Sequence, residues 1–222
     1  MDLVKSILTL RFSVPGRPWM EMRETLRVAG GDPAAELRAS PIVLDQPEQR
    51  QRVVIHVRAI TLEEEGTGSG DERRAHAVDL MTRMNHASEF PPITRLRYEC
   101  IFIEPYPLPF HELFALMKGR LLGSNAFLGS ATDFGLILDE HEQDIVKHTQ
   151  VGPMDADQLR SQYLAWPEEG VPQTFVFLGL AYESNKDTQF TPDSLQEFLL
   201  TAAAWHLQQA DVVLNALRSE GE

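Results

Sequence analysis

The stretch FPPITRLRYECIFIEPYPLPFHELFALMKGR, residues 90–120, holds a stop, a strand and a helix in that order. Pro91 and Pro92 cannot donate a backbone hydrogen bond to a helix or an inner strand, so whatever precedes them ends there. From Thr94 to Phe102, the side chains of Leu96, Tyr98, Cys100 and Phe102 fall on one face of a period-two pattern, and Arg95, Arg97 and Glu99 on the other. The pattern predicts a strand with one buried face. Pro105, Pro107 and Pro109 then interrupt the ladder. Phe110, Leu113, Phe114 and Met117 recur at steps of three and four, which predicts a short amphipathic helix over 110–120.

Toward the N-terminus, Ala75, Val78, Leu80, Met81 and Met84 give an apolar helix face over 71–88, with Asp71 placed to cap it. Before that, Glu63 to Gly70 has no apolar side chain, three like charges and three glycines. It reads as a flexible, acidic, glycine-rich loop at which mild proteolysis cuts first. The loop belongs within a single domain spanning 1–222, because the 62 residues before it are too few to cover both faces of a sheet alone. Arg52 to Ile60 is rich in valine and isoleucine and reads as one strand. Trp19 to Ala29 has helical spacing and a stop at Gly30-Gly31. Leu8, Leu10, Phe12 and Val14 alternate with Thr9, Arg11 and Ser13, so residues 3–14 open the chain as a strand.

Toward the C-terminus, Phe134, Leu136 and Leu138 indicate a further strand. Asp139 to Asp144 reads as an acidic hairpin tip leading into Ile145 to Val151, and Asp155 to Trp166 as a helical turn ended by Pro167. Thr174 to Tyr182 is apolar on both faces and belongs inside the sheet. Thr191-Pro192-Asp193 supplies a cap, a first-turn proline and an acid at the positive end of the helix dipole. The helix that follows runs to about Arg218, on the order of 40 Å at about 1.5 Å per residue. Its stripe continues through Val212, Val213 and Leu217, which predicts an apolar contact between two copies of the chain, a homodimer. No internal repeat is visible. The elements together predict an α+β fold, a mostly antiparallel sheet with helices packed on one face and a long C-terminal helix.

The formal net charge of −13 opposes long-range attraction to phosphates, so neither nucleic acid nor an anionic membrane is expected as a direct partner. No apolar run reaches the roughly 20 residues of a membrane span. Residues 1–14 lack the compact apolar segment of a secretory signal, and the expected location is cytoplasmic. The one cysteine, Cys100, lies on the apolar face of its strand and reads as a buried, inert thiol.

No two histidines stand four residues apart, and His111-Glu112 lacks a second ligand because residue 115 is alanine. The acidic run at 139–144 does not follow the oxygen pattern of a calcium loop. No phosphate-cradling glycine pattern, nucleophile elbow or paired-cysteine site occurs, so the sequence implies no metal, no cofactor and no catalytic motif. One polar pattern stands out. Arg11, Arg58, Arg95 and Arg97 all alternate away from apolar faces and line up cations where an anionic group can dock, unless Glu99 and its neighbours neutralise them.

The segment Phe90-Pro-Pro-Ile-Thr-Arg-Leu-Arg-Tyr98, after a helix and leading into a strand, resembles a sporadically distributed family of uncharacterised bacterial proteins. The order of elements is similar over most of the chain, from an opening strand to a long final helix. Glu99-Cys100-Ile101 departs from the small polar pattern that usually continues the motif. The resemblance implies the fold and no catalytic residues or substrate. The sequence therefore favours a self-associating binding or interaction module. The alternatives are an enzyme with a dispersed site on the arginine-lined sheet face and an acidic decoy or inhibitor of a nucleic-acid-binding protein.

Overall fold

The computed structural model describes residues 1–13, 41–66, 69–87, 89–123, 134–166 and 170–218. Strands β1 (Asp2–Phe12), β2 (Ile42–Gln46), β3 (Gln51–His56), β4 (Ala59–Glu65), β5 (Ile93–Pro105), β6 (Leu136–Glu142), β7 (Ile145–Asp155) and β8 (Thr174–Ser184) form one sheet. Their order is β2-β3-β4-β1-β5-β8-β7-β6, and every neighbouring pair is antiparallel. The helices are α1 (Gly70–Ala87), α2 (Phe110–Leu122), α3 (Ala156–Gln162) and α4 (Pro192–Arg218). The fold is α+β, as the alternation predicts.

Apolar side chains sort the two faces. Leu8, Leu10, Tyr98 and Leu180 meet Met81 of α1, Met117 of α2 and Leu199 of α4 in the main core. The opposite face carries Arg95, Arg97 and Glu99, since the period of two sends alternate residues there. One end of that face holds a second apolar cluster, in which Leu159 of α3, with Tyr163 and Leu164, covers Ile101, Ile103, Phe175 and Phe177. The three longer helices thus share a face and the short α3 lies on the other.

The sheet order is symmetric about the β1–β5 pair: β4, β3 and β2 step outward from β1 as β8, β7 and β6 do from β5. Helix α1 follows β4 as α4 follows β8, and these two helices pack against each other. The chain is therefore a repeated unit at the level of topology, although no repeat is visible in sequence. Topology requires only the placing of apolar faces and turns, and many side chains meet that requirement.

Several boundaries differ from the sequence reading. Arg52 to Ile60 is two strands, not one, joined by a turn at Val57 and Arg58. A two-residue turn keeps Val53 and Ile55 on the same face as Ile60 and Leu62, so the apolar pattern runs through it without a glycine or proline to mark it. Of the expected flexible loop at 63–70, Glu63 to Glu65 end β4, paired with β1, α1 begins at Gly70, and residues 67–68 lie outside the described residues. The cap of α1 is Ser69 rather than Asp71. Glu72 N donates to Ser69 Oγ at 3.2 Å and Ser69 N to the Glu72 carboxylate at 3.2 Å, a reciprocal capping box. The acidic run at 139–142 belongs to edge strand β6, and only Gln143 and Asp144 turn. The expected helix at Trp19 to Ala29 lies outside the described residues.

Candidate functional site

Three of the four predicted arginines meet on the open sheet face. Arg11 and Arg95 are register partners across β1 and β5, and Arg97 stands two residues along β5. Arg58 does not join them on a strand, because it occupies the β3–β4 turn, where its carbonyl accepts a hydrogen bond from Phe12 N at 2.9 Å. Glu183 of the next strand and Glu99 of the same strand neutralise the pair on β5. Arg95 binds Glu183, and Arg97 reaches Glu99 at 3.0 Å and Glu183 at 3.4 Å. Burial alone would push the Glu183 carboxyl up, but the bond and charge of Arg95, with Asn185 and Arg97 behind it, hold it below its ordinary value. Arg95 and Arg97 are thus engaged in ion pairs, and the face does not present a cluster of free cations. Across the same face, Asp139 and His148 pair at 2.7 Å. Among the described residues no three side chains converge as metal ligands.

A different set of polar groups meets on the helical side. Where β1 and β5 pass beneath α1 and α4 there is a cavity of about 290 Å³. Its floor is Tyr98, Cys100 and Phe102 of β5, placed there by the period of two, and its wall is Ala203 and His206 of α4, one turn apart on the buried stripe. The small side chain at Ala203 leaves space that a leucine would fill. Arg74 of α1 and Leu207 of α4 stand at the outer side, with Leu207 exposed. The site lies on the symmetry axis of the sheet and takes residues from both halves of the chain.

Tyr98 and His206 are 2% and 1% exposed, yet neither ring nitrogen of His206 has a hydrogen-bond partner among the described residues, and the Tyr98 hydroxyl has only the weakly bonding Cys100 thiol beside it. The imidazole sits 5.6 Å from the Tyr98 ring and 5.4 Å from Trp205. The Tyr98 main chain faces it, but no hydrogen bond of ordinary geometry reaches it. Burial first, and then the Arg74 guanidinium, push the His206 pKa down to about 3. Burial also pushes the Cys100 thiol up to about 12, and raises the Tyr98 phenol, with Cys100 beside it adding to the rise. At neutral pH all three groups are therefore uncharged. A neutral imidazole offers one donor and one acceptor, a phenol offers both, and none of the three is a thiolate nucleophile or a strong base.

Sequence reading placed Tyr98 on an apolar face and stopped there. The legible signal was a histidine at a core position of an amphipathic helix, but only tertiary structure puts that helix over Tyr98. The C-terminal stripe also divides differently from expectation. Val213 and Leu217 are buried within the chain's own core, while Val212 is exposed. The helix turns its stripe inward over its whole length because the sheet and α1 extend far enough beneath it, so these residues do not form a surface patch. No protein-family model matches this chain, and no curated protein matches it. No helix among the described residues is long and apolar enough to cross a membrane.

Proposed function

We propose that this protein is a small-ligand-binding module whose site is the cavity between its two halves. One observation carries the reading: two side chains almost fully removed from solvent line the cavity, and among the described residues their three polar atoms have no partner but the Cys100 thiol beside the Tyr98 hydroxyl. Leaving such a group unpaired costs about 1–3 kcal/mol, so water or a ligand must meet it, and a ligand with matching groups displaces that water favourably. A purely structural core disfavours this arrangement, since phenylalanine at both positions would fill the space without the penalty. Binding is favoured over catalysis because the lining groups are held neutral, and none is tuned toward the pH at which a general base or thiolate nucleophile works.

The test is a two-dimensional NMR titration of the full chain with a mixture of small uncharged fragments. Shifts clustered at the amides of Gly70, Tyr98, Ala203 and His206, and lost in Tyr98→Phe, are expected. Shifts confined to other surfaces, or none at saturating fragment, overturn the reading.

A further inference from the structure

The cavity is not closed on its outer side. It shares Asp71 and Arg74 with a groove of about 410 Å³ between α1 and α4. The groove walls are largely apolar, with Ala75 and Val78 on one side and Leu199 and Leu200 on the other. Leu200 and Leu207 are 52% and 62% exposed and lie seven residues apart, two turns along one side of α4. A pocket with a buried floor at Tyr98 and His206 therefore adjoins an apolar groove at Asp71 and Arg74, and both open to the surface.

Resting on the proposed binding site, we infer that the ligand is an amphipath with an uncharged hydrogen-bonding head at Tyr98 and His206 and an apolar tail along the α1–α4 groove. The head is uncharged for three reasons. The chamber floor offers only neutral groups, and a buried charge needs a paired opposite charge. Among the described residues, the two cations that line the cavity are already paired, Arg74 with Asp71 and the Met1 ammonium with Glu104. The start of α1 is already capped by Ser69 and Glu72, so its positive end has an acid of its own. The chamber, at about 290 Å³, corresponds to roughly ten water volumes of about 30 Å³ each, which admits a primary amide or similar head with the first few carbons. The tail must lie in the groove.

Octanamide and octanoate share a chain and differ in the charge of the head, so they test the head directly. Calorimetric titration of the full chain at pH 7.5 is expected to show octanamide at least tenfold tighter. Tyr98→Phe and His206→Leu each roughly conserve volume, and each is expected to weaken octanamide at least tenfold while the folded spectrum is retained. The tail is tested by length: affinity is expected to rise roughly fourfold per methylene from butanamide to octanamide. Leu200→Asp is expected to remove that rise and leave butanamide unchanged.

Equal or tighter binding of octanoate overturns the inference, as does octanamide binding that is indifferent to both chamber substitutions. A flat length series overturns the tail assignment. Cavity shifts from other neutral fragments, with no binding of octanamide, sink the amphipath and leave the binding site standing. No fragment entering at all sinks both.

Discussion

A buried neutral imidazole couples stability to acid. The folded pKa of His206, about 3, lies below its ordinary value of 6.5, so below that value the unfolded chain takes up a proton that the folded chain refuses. The sign is that stability falls as pH drops from 6.5 toward 3, by up to roughly 1.4 kcal/mol per pH unit. Urea unfolding of the wild type and His206→Phe at pH 7, 5.5 and 4.5 should show the variant gaining relative stability at each step. A constant difference would mean the imidazole protonates freely in the fold. Glu183 acts in the same sense, over a lower pH window. Its folded pKa lies below the ordinary 4.5, so its contribution is present above that value and is lost as pH falls through the folded pKa. Glu183→Gln should therefore cost about 1.5–3 kcal/mol at pH 7, the scale of a charge-assisted hydrogen bond. The gap to the wild type should narrow below pH 4.5, the ordinary value. Of these residues, Arg95, Arg97 and Glu99 were legible as a polar face from alternation, with Glu99 as a candidate ion-pair partner, but Glu183 lies 84 or more residues away in a strand that reads as wholly apolar, so its part was not.

Elements fail or hold according to what covers them. Glu63, Glu64 and Glu65 read as a solvated run because local sequence offers them nothing. In the fold each has a partner distant in sequence: Lys5 reaches Glu63 at 2.8 Å and Glu65 at 3.1 Å, and Glu64 accepts from Gln51 at 3.0 Å and pairs with His76 at 2.6 Å. Glu65 also accepts from the main-chain N–H groups of Ala165 and Trp166, at 2.8 and 3.2 Å, and so ties the segment after α3 to the sheet. Limited proteolysis is accordingly expected to spare 63–65, and mass spectrometry showing a first cut there would contradict the buried pairing. In α4, Val213 is 8% exposed and Val212 55%. Thermal unfolding should show Val213→Glu losing several kcal/mol through a buried unpaired charge, and Val212→Glu within about 0.5 kcal/mol of the wild type. Comparable effects at both positions would point instead to a shared contact outside this chain. Replacing the capping Ser69 with alanine should cost about 1 kcal/mol.

At the scale of the whole molecule, stability should be graded outward from the symmetry axis. Strands β1, β5 and β8 have neighbours on both sides, whereas β2 and β6 are edges, and β6 carries Asp139, Glu140 and Glu142 against edge pairing. Hydrogen exchange should be slowest in the amides of β5 and β8 and fastest in β2 and β6, and uniform protection would contradict this gradient. By itself the sequence determined the class of fold, the alternation of β1 and β5, the doubly buried β8, and the start of α4, where Ser194 N donates to Thr191 Oγ1 at 3.0 Å. These follow from period and capping, which are local properties. Tertiary structure alone decided the repeated topology, the split of residues 52–60 into a hairpin, the neutralising of the arginines and the cavity at Tyr98 and His206. Each of those depends on which distant side chain arrives opposite, and a one-dimensional pattern of apolar and polar residues carries no record of that pairing.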